Sequence, residues 1–98
     1  KGEKMSNYEE FLPDLYKAIT DIESVEECKA LFDDLCTYKE VEQMAQRLRA
    51  AKLLLEGMTY NEVISQTGIS SATLSRVSKC VNHGSDGYKK AVEKSILK

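Results

Sequence analysis

Ninety-eight residues with a formal net charge of −2, 31% charged and 42% hydrophobic side chains, make one small soluble globular domain rather than a disordered chain. No apolar run approaches the length of a membrane span, and no secretory signal precedes the first apolar helix, so a cytoplasmic protein is expected. The charge is unevenly spread: residues 1–46 carry 5 basic and 12 acidic side chains, a net of −7, and residues 47–98 carry 9 basic and 4 acidic, a net of +5. A nucleic acid would meet the second half, though an excess of this size gives only weak sequence-independent binding.

The opening KGEK, residues 1–4, reads as a cloning remnant ahead of a single domain over residues 5–98. Ser6 or Asn7, with Glu9 or Glu10 three residues on, opens a first helix. Phe11, Leu12, Leu15, Tyr16, Ile19 and Ile22 give it an apolar stripe. Pro13 either kinks this helix or sits in the first turn of one that begins there. Ser24 and Glu27 form a capping box for a second helix, with Val25, Cys28, Leu31, Phe32 and Leu35 at helical spacing. Thr37 and Glu40 form another before the longest helix, which runs to about Glu56. Its stripe is Val41, Met44, Ala45, Leu48, Ala51, Leu54 and Leu55, and Gly57 stops it.

The stretch from Thr59 to Val81 carries the functional signal. Thr59 caps a short helix and Glu62 returns the bond; Gly68 ends that helix, and Ile69 is a buried turn residue. Ser70 or Ser71 caps a second helix, held by Leu74, Val77 and Val81, with Ser71, Ala72, Ser75 and Lys79 on the opposite face. This is a helix-turn-helix pattern at about residues 59–81, and small, hydroxylated and basic side chains suit entry into a major groove. Residues 82–87 read as a loop, followed by a helix from about Asp86 towards Lys98 with Tyr88, Ala91, Val92 and Ile96 on one face.

The sum is six helices and no sheet. Leu53, Leu54 and Leu55 make the long helix apolar on more than one side, more surface than one small chain can cover, which predicts a homodimer packed through the N-terminal helices. The only histidine is His83 and no pair of carboxylates is poised, so no enzyme is expected. Cys28 and Cys36 read as small core hydrophobes without a disulfide. Cys80-x-x-His83 has ligand-like spacing but lacks a second compact pair, so no metal is expected. A protein-interaction module with a vestigial helix-turn-helix, or a metal- or small-molecule-responsive regulator, is the alternative to a constitutive DNA-binding regulator.

The segments LFDDLCT and QRLRAAKLLLEGMTYNEVISQTGISSATLSRVSK, followed by a terminal helix, resemble the tryptophan repressor family and its repressor-like bacterial relatives from about Phe32 to Leu97. The resemblance implies an all-α, intertwined six-helix homodimer that acts as a transcriptional repressor at a palindromic operator in double-stranded DNA. It implies a recognition helix at about 70–81, with Asn61, Ser70, Ser71, Ala72, Thr73, Ser75, Arg76 and Lys79 at the DNA. It also implies an effector pocket drawn from Thr37, Arg47 and Arg76, where an indole would lie between the two arginines. Tryptophan-responsive members carry glycine after the second arginine. Here the residue is Val77, so activity independent of L-tryptophan, and of any cofactor, is the expectation.

Overall fold

The computed structural model describes the backbone of residues 4–94, with side chains from residue 8 onward. Among the described residues there are six α-helices and no strand. They are α1 (Lys4–Thr20), α2 (Val25–Leu35), α3 (Tyr38–Leu55), α4 (Tyr60–Thr67), α5 (Ser71–His83) and α6 (Gly87–Lys94). No helix among these residues is long and apolar enough to cross a membrane. The chain divides into two units, Lys1–Tyr38 and Lys39–Lys98.

In the first unit α1 begins at Lys4, ahead of Ser6 and Asn7, and continues past Pro13 to Thr20. The proline is therefore an interior residue and not a helix start. Its missing N–H leaves the carbonyl of Glu9 without a helical donor, which costs little where water reaches it, and both residues are exposed. The expected capping box of α2 is rearranged. The Ser24 hydroxyl accepts the Glu27 amide at 3.0 Å, but the Glu27 carboxylate returns to the amide of Glu23, at 3.2 Å, one residue before the cap. Cys36 lies just past α2, where its amide donates to the Phe32 carbonyl. All three cysteines are free; Cys28 and Cys36 are half-buried and Cys80 is exposed.

The second unit holds a core of Ala50, Ala51, Leu53, Val63, Ile69, Leu74, Val77 and Val81. The buried face of α3 is Ala50, Ala51 and Leu53, whereas Ala45 and Leu55 of the expected stripe are exposed. The helix ends in a Schellman arrangement: the Met58 amide donates to the Leu53 carbonyl at 3.1 Å and the Gly57 amide to the Leu54 carbonyl at 3.0 Å. Met58 packs back on the core, as that motif usually requires. Helix α5 packs against both α4 and α6. It extends through Asn82 and His83, two residues expected in a loop, because the Gly84 amide still finds the Cys80 carbonyl at 2.9 Å. A Cβ on Gly84 would stand 2.4 Å from that same carbonyl oxygen, so only glycine permits the approach. In α6 Val92 is buried and Tyr88 half-buried, while Ala91 is exposed; Ile96 lies outside the described residues.

Candidate nucleic-acid interface

The geometry of α4 and α5 follows from local bonds. At the start of α4 the Glu62 amide donates to the Thr59 hydroxyl at 3.2 Å, and the Thr59 amide donates to the Glu62 carboxylate at 2.8 Å, closing the capping box. At its end Gly68 takes the left-handed conformation (φ 73°, ψ 9°) that a side chain would strain, and its amide donates to the Ile64 carbonyl at 2.8 Å. Thr67 ties the turn twice: its hydroxyl donates to the Val63 carbonyl at 2.8 Å and accepts the Ile69 amide at 3.2 Å. Ile69 is then driven into the core, 1% exposed. Ser70, rather than Ser71, caps α5. Its hydroxyl accepts the Thr73 amide at 3.1 Å and donates to the Thr73 hydroxyl at 2.9 Å.

These bonds fix α5 with one face inward and one outward. Leu74, Val77 and Val81 are buried. Ser71, Ala72, Ser75, Arg76 and Lys79 are exposed, as are Ser70 in the turn and Asn61 on α4; Thr73 is half-buried. The outward face thus carries hydroxyls, one methyl group and two cations. Short side chains let a duplex come close to the helix backbone, and the cations can neutralise phosphates.

The residues of the expected effector pocket sit differently. Thr37 is exposed and belongs to the first unit. Arg47 on α3 is half-buried and Arg76 is exposed. Val77 is 2% exposed and part of the core with Ile69 and Leu74. Clefts among the described residues of the second unit lie elsewhere. One, of about 280 Å³, is lined by Cys80, Ser85, Gly87 and Tyr88; another, of about 500 Å³, by Lys52, Leu55, Glu56, Lys89, Val92 and Glu93. Neither draws on Arg47, Arg76 or Val77. Cys80 and His83 share the last turn of α5, and no group of three metal-ligating side chains comes together among the described residues.

One residue escaped the sequence reading. The Gln46 carboxamide on α3 donates to the main-chain carbonyl of Thr67 at 2.9 Å, crossing 21 residues of chain to reach the α4–α5 turn. A polar residue on an amphipathic helix gives no signal of such a bond, because its partner is backbone.

An all-helical chain with one short helix anchored in the core and its outward face left small, hydroxylated and basic defines a narrow class of protein. The family model for Trp repressor protein matches residues 10–96, and the chain belongs to that family. The match begins well before Phe32, so all of α2 and the part of α1 from Glu10 onward fall within it. The chain is 45% identical over 83 residues to the uncharacterised protein YerC of Bacillus subtilis (strain 168), covering 85% of this chain and 80% of that protein. It is similar to the crystal structure of a candidate Trp repressor from Staphylococcus aureus (38% identity, TM-score 0.84, covering 89% of this chain and 87% of that one). It is also similar to a TrpR-like protein from Eubacterium eligens ATCC 27750 (36% identity, TM-score 0.83, covering 87% and 88%).

Proposed function

We propose that this protein is a cytoplasmic, homodimeric transcriptional regulator, a repressor, that enters the major groove of a palindromic operator with α5. The observation that carries this reading is the division of α5 itself: Leu74, Val77 and Val81 are buried while Ser71, Ala72, Ser75, Arg76 and Lys79 face solvent. A helix held from behind and bare in front can be laid into a groove without unfolding anything. Membership of the Trp repressor family supports the same reading. In it Arg76 and Lys79 supply charge, Asn61 lies by the phosphates, and Ser70, Ser71, Ala72, Thr73 and Ser75 approach the base edges and backbone, in part through water. Selection of bound sites from random double-stranded DNA, followed by gel shift, tests it. A two-fold symmetric site should emerge, and its half-site spacing would report the dimer geometry. In gel shifts Lys79→Ala should weaken all duplexes alike and make the salt dependence shallower by about one unit per protomer. Failure to enrich any sequence at low salt would leave a protein-interaction module instead.

The regulator acts without L-tryptophan. Val77 occupies core space at the position where the tryptophan-responsive relatives carry glycine, and burying its isopropyl group stabilises by about 1–3 kcal/mol. The side chain then does permanently what a ligand would do conditionally, which is to favour one placement of α5. Calorimetry should detect no L-tryptophan binding below millimolar, and Val77→Gly should lower stability. Micromolar binding coupled to tighter DNA binding would refute this.

A further inference from the structure

We infer that Gln46 is a positioning residue for α5: its carboxamide holds the carbonyl that closes α4 and so sets where the exposed face of α5 stands. The inference rests on the DNA-binding reading and assigns a residue to it. A helix leaves its last carbonyls without partners inside the helix, and each must be satisfied by something else. At the end of α4 the Gly68 amide takes the Ile64 carbonyl, and the turn that follows is tied by further short-range bonds. The Gly68 amide, the Thr67 hydroxyl and the Ile69 amide all bond within four residues of themselves. Such bonds shape the turn but cannot say where the turn sits relative to α3. The Thr67 carbonyl is reached from α3, by Gln46 Nε2 at 2.9 Å. That nitrogen would lie 3.9 Å from a Cβ on Gly68, so the side chain of Gln46, itself half-buried, lies beside the turn as well as bonding to it.

Direction is what this bond adds. The burial of Ile69 and Leu74 in one core with Ala50 and Ala51 is non-directional, and it tolerates small slides that a hydrogen bond does not. Placement matters more here than in most reading helices. Ser71, Ala72 and Ser75 are too short to reach further if the helix shifts, whereas an arginine or glutamine could follow the base. A site built from short side chains needs its support held to a fraction of an ångström.

Three variants of the whole chain test this: Gln46→Met, which keeps length and removes the donor; Gln46→Glu, which sets a carboxylate against the carbonyl; and Gln46→Lys, which restores a donor. Binding is measured to the selected operator and to an unrelated duplex, and amide exchange is followed at Gly68 and Ile69 in the free protein. Gln46→Met should weaken operator binding roughly three- to ten-fold, the range set by the net worth of one hydrogen bond. It should change binding to the unrelated duplex by less than about two-fold, since phosphate contacts tolerate small shifts. Exchange should quicken at Gly68 and Ile69 and not along α3. Gln46→Glu should be worse than Gln46→Met, and Gln46→Lys should recover most of the loss. Parental operator binding by Gln46→Met, equal loss on both duplexes, or uniform quickening of exchange would each overturn the inference while leaving the DNA reading intact. A parent that binds no duplex would end the DNA reading, and the role of Gln46 with it.

Discussion

Phe11 is 62% exposed, Tyr16 60% and Val25 80%, whereas Val63 and Leu74, in the second unit, are 0% exposed. Both units are built from capped helices with apolar stripes, yet among the described residues no side chain before Tyr38 is buried. The difference teaches that amphipathicity makes a helix ready to bury a face but does not supply the surface to bury it against. In the second unit, α3, α4 and α5 supply that surface to one another through Ala50, Ala51, Val63, Ile69 and Leu74. Tyr8, Phe11, Leu12, Leu15, Tyr16 and Ile19 on α1 stay open in the single chain. A contiguous apolar face of this kind marks an interaction site, and a second copy of the chain is the partner that the proposed homodimer provides.

The largest expected effect lies in that face. Phe11→Asp combined with Leu15→Asp places two carboxylates four residues apart on α1. Each removed side chain contributes about 1.5–3 kcal/mol of burial, and symmetry doubles the loss. Light scattering should fall from twice the chain mass of 11.0 kDa to 11.0 kDa, and the unfolding midpoint should lose its dependence on protein concentration. A parent already monomeric at every accessible concentration would break the comparison at its root.

Within the second unit the two faces of α5 should respond differently. Leu74→Ala opens a cavity in the core and should cost about 2–5 kcal/mol of stability, read by urea unfolding at fixed protein concentration. Ala72→Glu, on the exposed face, should leave stability within about 0.5 kcal/mol, as most surface changes do. It should weaken operator binding by about 100-fold or more, because a carboxylate would be held against phosphates or base edges without a partner. Tight binding by Ala72→Glu would mean that this face is not the one that meets DNA.

What could be read from the sequence was the local part. Thr59, Glu62, Gly68 and Ile69 declare themselves because a cap, a left-handed turn and a buried turn residue each depend on a few neighbours. The end of α5 differs from the expectation because Asn82 and Gly84 suggest a loop, while the bond between the Gly84 amide and the Cys80 carbonyl extends the helix to His83. The inward face of α3 is legible only in part, since Ala51 and Leu54 of the expected stripe meet the core while Ala45 and Leu55 do not. With Leu53, Leu54 and Leu55 in a row, periodicity fits more than one face, and only the neighbouring helices choose Ala50, Ala51 and Leu53. Gln46 was invisible because its partner is a carbonyl 21 residues away. The exposed face of α5 is legible in the sequence because exposure there is simply the complement of a short apolar stripe.

The smallest expected effect separates the units most finely, because it compares one device in both. Thr59 caps α4 with a complete box, and the helix it caps carries the fully buried Val63. Ser24 caps α2 in part, with the Glu27 carboxylate turned to Glu23, and α2 buries no side chain. Removing an N-cap hydroxyl costs about 1 kcal/mol, but only to the extent that the helix belongs to the cooperative unit being unfolded. Thr59→Ala should therefore cost about 1 kcal/mol at every protein concentration. Ser24→Ala should cost about as much when the protein is concentrated and α2 has a partner to pack on. On dilution its cost should fall towards zero, with the loss visible instead as faster amide exchange confined to α2. Chemical unfolding and hydrogen exchange at two protein concentrations make the measurement. If Ser24→Ala costs the same at both, the first unit is held by its own chain, and the contrast between the units is one of exposure and not of stability.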